Sequence, residues 1–255
     1  MKVHELFNIE GKKAIVTGGS KGLGKGMAEA LLEAGCEVAI TSSSDAALLE
    51  AENYRAAGYA CYGVKGDLRK REEVYSSFEE CLKHLKGDVD ILVTAAGINL
   101  RHPSEEFPMD DWDDVINVNL NAQFIQCQLA GRIMLKKGYG KIIIVGSLCF
   151  HFGGSTIPAY AASKGGVSQL AKALSNDWMG KGINVNAVAP GYMATDLNTA
   201  LLKNETRYRQ ITERIPAGRW GNGDDMKGIT LFLASQASDY VGGAVIPVDG
   251  SYLVR

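Results

Sequence analysis

Seven short runs rich in β-branched residues punctuate the chain: KAIVT from Lys13, EVAIT from Glu37, CYGVK from Cys61, DILVT from Asp90, KIIIVG from Lys141, INVNAVA from Ile183 and GAVIPV from Gly243. Between them lie helix-length segments such as GKGMAEALLEAG and VSQLAKALSNDW, whose apolar positions recur at three- and four-residue spacing. Strands that alternate with helices pair in parallel, and the crossover helices cover both faces of the sheet. Gly35 and Gly58 fall where helices end, at positions that favour a left-handed cap. No linker, repeat or low-complexity stretch divides the chain, so residues 1–255 read as one α/β domain: a doubly wound, seven-stranded parallel sheet with helices on both faces. The longest irregular interval runs from about Pro190 to Gly223, at the carboxyl edge of the sheet, where ligands bind in open α/β folds.

Composition excludes several classes of function. The formal net charge is −2 and no basic run tracks a polyphosphate backbone, so no nucleic-acid partner is expected. The five cysteines, at 36, 61, 81, 127 and 149, are odd in number and widely spaced, which proposes neither a disulfide framework nor a metal site. The start, MKVHELFNIEGKK, lacks the apolar core of a signal peptide, and nowhere do 18 apolar residues run together. The expectation is a cytoplasmic protein without a membrane partner.

Directly after the first strand comes TGGSKGLGKG, residues 17 to 26, leading into a helix. Gly18, Gly22 and Gly24 allow a tight turn and close backbone approach, while the helix start offers free N–H groups to a pyrophosphate. Ser20, Lys21 and Leu23 complete this candidate dinucleotide loop, whose spacing is TGxxxGxG. The second strand runs into TSSSD, where an acidic residue would bind ribose hydroxyls and repel a 2′-phosphate. Ser42 and Ser43 are neutral there and Lys21 is near, which favours NADP(H) over NAD(H); the same serines could instead cap the next helix. Asp67 and Leu68, in GDL, end the third strand, with Asp67 a partner for the adenine amino group or a helix cap.

Ser147 ends the fifth strand, and thirteen residues on the stretch PAYAASKGG sets Tyr160 one helical turn before Lys164. Positions four apart share a helix face at about 5–6 Å between Cβ atoms. The glycine loop, Ser147 and the Tyr160-xxx-Lys164 unit together resemble the short-chain dehydrogenase/reductase family, whose fold is of the Rossmann type. AAG at 95–97, NVNL at 117–120, PGYMAT at 190–195 and VDGS at 248–251 agree with it, and the resemblance runs from about Gly11 to Arg255. It implies that Tyr160 is the general acid/base and that Ser147 orients the carbonyl. Lys164 would lower the phenol's affinity for its proton and bond the nicotinamide ribose, and Asn119 would support a proton-relay water. It further implies cofactor contacts from Ala95, Ala96, Gly97, Pro190, Gly191, Met193 and Thr195. Two departures stand out: Thr94-Ala95-Ala96-Gly97 replaces the family's usual Asn-Asn-Ala-Gly, and VDGS lacks a second glycine. The lost amides lead us to expect altered local stability and cofactor affinity rather than lost chemistry.

The stretches from Arg101, Ala189 and Ile215 look like the branch of the family that acts on sugar acids. Arg101 could grip a carboxylate bidentately, with Tyr192 beside it and His102 as a lesser candidate. A 3-ketoacyl carrier-protein reductase, a polyol or ketose reductase and a non-catalytic dinucleotide-sensing protein stay open as alternatives. Two long apolar helices, about Trp112 to Lys136 and Ile157 to Met179, together with the closing YLVR, suggest a homotetramer.

Overall fold

The computed structural model describes residues 2–255, so the expected domain is followed to all but its first residue. Seven strands form one all-parallel sheet: β1 (Lys13–Thr17), β2 (Glu37–Ser42), β3 (Cys61–Lys65), β4 (Ile91–Thr94), β5 (Gly140–Val145), β6 (Ile183–Pro190) and β7 (Val245–Val248). Their spatial order is β3-β2-β1-β4-β5-β6-β7. The chain therefore winds outward from β1 in one direction and, after crossing over, from β4 in the other. That reversal opens a crevice at the carboxyl ends of β1 and β4, the switch point where doubly wound folds hold ligands. The register aligns Val16 with Ile40 on one side and Val93 on the other.

Burial on both faces explains why the central strands β1, β4 and β5 read as largely continuous apolar runs rather than alternating ones. One face carries Val16, Ile40, Val93 and Ile143 against α1 (Gly22–Glu33), α2 (Ala46–Ala56) and residues near the C-terminus. The other carries Ile15, Leu92, Ile142, Ile144 and Val185 against α3 (Arg71–His84) and two long helical segments. The expected helix from about Trp112 is not uniform: α4 (Met109–Ile116) and α5 (Ala122–Lys137) are joined by a π-helical turn, Asn117–Asn121. The second long helix, α6 (Pro158–Trp178), opens on a proline at its first turn, where the missing N–H costs nothing.

The interval expected to be irregular after β6 is partly helical. It holds α7 (Thr199–Leu202) and α8 (Glu205–Arg214), followed by α9 (Lys227–Ala234). Ile211, Ile215 and Trp220 pack with Leu148, Ala189 and Tyr252 as a separate small core, and the Trp220 indole donates to the Thr212 hydroxyl at 2.9 Å. Half of the residues of helix α8 are charged, which hides its few core-facing positions from a periodicity reading. Arg219 forks onto Asp225, with its Nη1 2.8 Å from Oδ2, and so pins the loop after this segment.

Candidate active site

The glycine loop has the conformation its residues allow. Gly18 and Gly22 have φ of +67° and +56°, in the left-handed region open to glycine. A Cβ on Gly24 would lie 2.2 Å from the Gly18 carbonyl oxygen, and one on Gly18 would lie 2.9 Å from the Ala96 backbone. The loop is thus folded onto itself and onto the end of β4. Lys21 stands at the N-cap of α1 with no side-chain acceptor for the first N–H groups, which leaves them available to an anion. Its own ammonium is exposed and 3.0 Å from Asp196. Ser20 and Leu23 are half-buried, and Thr195 closes the loop from above, its methyl 3.4 Å from where a Gly22 Cβ would stand. This uncapped, glycine-built helix start fits a dinucleotide pyrophosphate.

At the ends of β2 and β3 two expected cofactor contacts are engaged locally. The Ser42 hydroxyl donates to the Ser44 carbonyl at 2.7 Å and accepts from the Ala47 N–H at 3.0 Å, so it caps α2. Its proton is spent there, which leaves exposed Ser43 as the neutral hydroxyl without a partner among the described residues. The Asp67 carboxylate takes a two-pronged grip from Arg69, at 3.0 Å to Nε and 2.6 Å to Nη2, which holds it below the usual carboxylate range. It also accepts from the Arg69 N–H, so its geometry is that of a turn cap. Leu68 is buried with Val74 and Val118 beneath this edge.

The end of β4 shows how the chain manages without the two asparagines. Thr94, fully buried, donates to the Gln123 amide oxygen at 3.2 Å, and the Gln123 amide nitrogen reaches the Ala96 carbonyl at 3.4 Å. A side chain from α5 thus supplies the polar tie the local sequence lacks. Sequence reasoning missed Gln123. The available signal was its place four residues after Asn119, on the same helix face. Asn119 itself is fully buried: it accepts from the Ile98 N–H and donates to the Ile98 carbonyl, both at 2.9 Å, and donates to Ser163 at 3.2 Å. Both its amide hydrogens are spent on protein, so the side chain fastens the loop after β4 to α6, while its oxygen keeps capacity for a second donor. The π turn is what rotates Asn119 into that position, a device frequent near functional sites.

Ser147, Tyr160 and Lys164 converge just beyond β5. The Ser147 oxygen accepts from the Cys149 N–H at 3.2 Å, which leaves its proton free to donate outward. Burial pushes the Tyr160 phenol up to about 12, against the opposing influence of the Ser147 hydroxyl and, more weakly, the Arg101 charge. Burial also pushes Lys164 down to about 8. Its ammonium, 3% exposed as a residue, donates to the Val145 carbonyl at 2.7 Å and lies 5.7 Å from the Tyr160 ring centre. One bond to protein leaves two of its three N–H groups for other partners.

Around this centre Arg101 is exposed and without a hydrogen bond or ion pair among the described residues, yet close enough to pull down both Tyr160 and Cys149. His102 is not free: its Nε2 lies 2.6 Å from Asp111 and its backbone N–H donates to Thr156. His151 is exposed and leans on the Phe150 ring. Cys149 is pushed up by burial, which makes it a poor nucleophile. Pro190 ends β6. Gly191 must be small, since a Cβ there would sit 2.7 Å from the Asp249 side chain. Tyr192 packs edge-on against Trp220 and Tyr252, and Met193 is buried beside Gly221. Together the groups around Tyr160 form a proton donor, a hydroxyl donor and a buried cation at the carboxyl edge of the sheet, an arrangement suited to adding or removing hydride and proton across a C–O bond.

Comparison with known proteins agrees. A short-chain dehydrogenase family model described as enoyl-(acyl carrier protein) reductase matches residues 18–252. The 2-dehydro-3-deoxy-D-gluconate 5-dehydrogenase of Bacillus subtilis (strain 168) is 44% identical over 253 residues, covering 99% of each chain. Its counterpart from Pseudoalteromonas atlantica is 47% identical, over 98% of this chain and 99% of its own. The crystal structure of a gluconate 5-dehydrogenase from Burkholderia cenocepacia J2315, in complex with NADP and tartrate, superimposes with a TM-score of 0.93 at 37% identity, covering all of both chains.

Proposed function

This chain belongs to the short-chain dehydrogenase/reductase family, and from that premise we propose that it interconverts a secondary alcohol and a ketone on a sugar acid of the gluconate or 2-dehydro-3-deoxygluconate class, with NADP(H) as the favoured carrier. Membership makes it an NAD(P)-dependent alcohol dehydrogenase or ketoreductase. The residues of the glycine loop, Ser43, Ala95 to Gly97 and Pro190 to Thr195 would hold the dinucleotide, which supplies or accepts the hydride at nicotinamide C4.

The chain's own groups manage the oxygen and its proton. In the reductive direction the substrate carbonyl accepts from the Ser147 hydroxyl and the Tyr160 phenol. As the carbonyl carbon gains hydride, the Tyr160 O–H bond breaks and its proton passes to the substrate oxygen. Ser147 donates to that oxygen while its charge grows, where a placed donor matters most. A phenol pushed up to about 12 is protonated at neutral pH, the form this direction requires. The tyrosinate left behind is stabilised by Lys164 one turn along α6. Oxidation reverses each step and needs the phenolate, so its rate should climb with pH while the reductive rate does not.

The observation that carries the sugar-acid reading is Arg101, an unpaired guanidinium whose charge reaches Tyr160 and Cys149. On this reading a carboxylate held there would leave the other end of the same molecule for Ser147 and Tyr160. Losing a charge-assisted contact costs about 1.5–3 kcal/mol, so Arg101→Ala should lower kcat/KM for a keto sugar acid by roughly tenfold to over a hundredfold. A neutral ketose of equal length should lose nothing. Equal loss on both substrates would make Arg101 structural and remove the reading's physical support. For the carrier, the neutral end of β2 and the exposed Lys21 favour the 2′-phosphate, and a tenfold preference for NADH over NADPH would overturn this. A homotetramer fits the 43% exposed Phe124 on α5. Light scattering at micromolar concentration should return four times the chain mass.

A further inference from the structure

We propose that the open cleft between α8 and the C-terminal turn is a second anion site, taking a compact multivalent anion, phosphate or small polycarboxylate, separate from the reacting carbonyl. The cleft encloses about 520 Å³, and Arg207, Arg214 and Arg255 line it together with Tyr192, Tyr252, Gln210 and Glu213. Three guanidinium groups meet there in a chain whose formal charge is −2.

None of the three has a carboxylate partner among the described residues, and each is oriented by a neutral one. Arg207 donates to the Gln210 amide oxygen at 3.3 Å. The Arg214 guanidinium carbon stands 4.6 Å over the Tyr252 ring. Arg255 donates to the backbone carbonyl of Glu213. The one side-chain carboxylate in the wall, Glu213, lies 3.9 Å from Arg209 and forms no ion pair with the cleft cations. Elsewhere the chain neutralises comparable groups directly, as Arg69 with Asp67 and Arg219 with Asp225. Neutral holders fix the forks at little entropic cost and leave most of their N–H donors without a protein partner, which suits a multivalent oxyanion. Three like charges left facing one another repel, and an anion between them removes that repulsion.

The cleft shares a wall with the catalytic centre. Tyr192 packs edge-on against Tyr252, with ring centres 5.1 Å apart, on the same small core as Leu148, the neighbour of Ser147. An anion bridging Arg207 and Arg214 of α8 to Arg255 of the tail therefore ties the segment above the crevice to the end of the chain, with Tyr192 between. This site is independent of the sugar-acid reading, because its arginines are not Arg101.

The test uses the full-length protein without cofactor, with melting temperature and calorimetric titration read against orthophosphate and citrate, and sodium chloride at matched ionic strength as reference. Wild type and Arg101→Ala should both be stabilised saturably by at least one of the two anions, by the amount that mass action sets, while chloride does nothing comparable. The double variant Arg207→Ala/Arg255→Ala should bind that anion at least tenfold more weakly while melting normally without it; Arg207→Gln alone should give an intermediate loss. Which anion is tighter identifies phosphate or polycarboxylate as the occupant. Equal response to chloride, or unchanged affinity in the double variant, overturns the proposal. Loss of the effect in Arg101→Ala would assign the anion to the catalytic crevice and overturn it equally.

Discussion

Lys141 and Lys164 are buried at opposite ends of the same strand, and their surroundings differ in what is left over. At the amino end of β5 the Lys141 ammonium has three partners: Asp239 at 2.6 Å, Asn184 at 2.9 Å and Ser238 at 3.4 Å. At the carboxyl end Lys164 has one, the Val145 carbonyl. Burial pushes both lysines down, but only Lys141 has a carboxylate acting against it. The neighbouring groups repeat the pattern. At the amino edge Asp90 accepts from the Lys13 N–H and pairs with Lys137 at 2.7 Å, and Asn184 and Asn186 tie down the approach to β7. At the carboxyl edge Arg101, Lys164 and the Ser147 proton keep unspent capacity. Apart from Glu37 Oε2, buried without a partner at the start of β2, the amino end is tied up holding the sheet together, and the carboxyl end is ready for ligands.

The sharpest way to break this contrast is to remove a single oxygen. Tyr160→Phe should lower kcat by about 10²–10⁴-fold while cofactor binding, followed by fluorescence titration, stays within twofold. Retention of a tenth of the wild-type turnover would refute the assignment.

Exchanging the two lysines for methionine should separate the ends. Lys164→Met should lose turnover and weaken cofactor binding without losing stability, because the variant no longer buries an under-partnered ammonium. Lys141→Met should stay active but lose about 1–3 kcal/mol in urea unfolding, since it strands the buried Asn184 oxygen. The pH dependence sharpens this further. With Lys164 near 8 in the folded chain and near its ordinary value of 10.5 when unfolded, the unfolded state binds more protons between those limits. The penalty is therefore full below pH 8 and is relieved as pH rises towards 10.5. Wild-type stability minus that of Lys164→Met should become more favourable across that window; a flat difference would contradict the lowered value.

A smaller effect should come from Gln123→Leu, which cuts the tie from Thr94 to Ala96 beneath the glycine loop. The loss of about 1 kcal/mol of positioning should raise KM for the cofactor roughly fivefold, with kcat within twofold. A change in melting temperature alone, with KM unmoved, would mean that Gln123 only packs. The smallest effect expected is at the closing VDGS. Ser251 has φ of +72°, a conformation that costs a non-glycine residue roughly 1–2 kcal/mol. Glycine's greater unfolded freedom offsets part of that, so Ser251→Gly should gain up to about 1 kcal/mol, read as a rise in melting temperature, with activity unchanged.

The usual second glycine, with no evident reason in the sequence, is thus explained by a dihedral angle. Other features divide the same way. The central strands announced themselves because burial on both faces makes them largely apolar runs, and Gly18, Gly22, Ser147, Tyr160 and Lys164 were legible because their spacing is local: a loop, a strand end, one helical turn. Ser42 was ambiguous in the sequence, as cofactor contact or cap, and the position of the Ala47 N–H makes it a cap. Asp67 turned inward to Arg69 for a similar reason, since a neighbour two residues away competes with any ligand. Helix α8 escaped notice because its charged sequence carries little periodicity and its packing partners lie in the chain's last residues.

What the sequence determined by itself is whatever depends on neighbours within a turn or a strand: the order of elements, the glycine loop and the pairing of Tyr160 with Lys164. What only the tertiary structure decided is how polar groups far apart in the chain satisfy one another. Thr94 meets Gln123 across 29 positions, Asn119 meets Ser163 across 44, and Lys141 meets Asp239 across 98. An unpaired buried polar group costs stability, so most find a partner, and no local pattern records which distant one it will be.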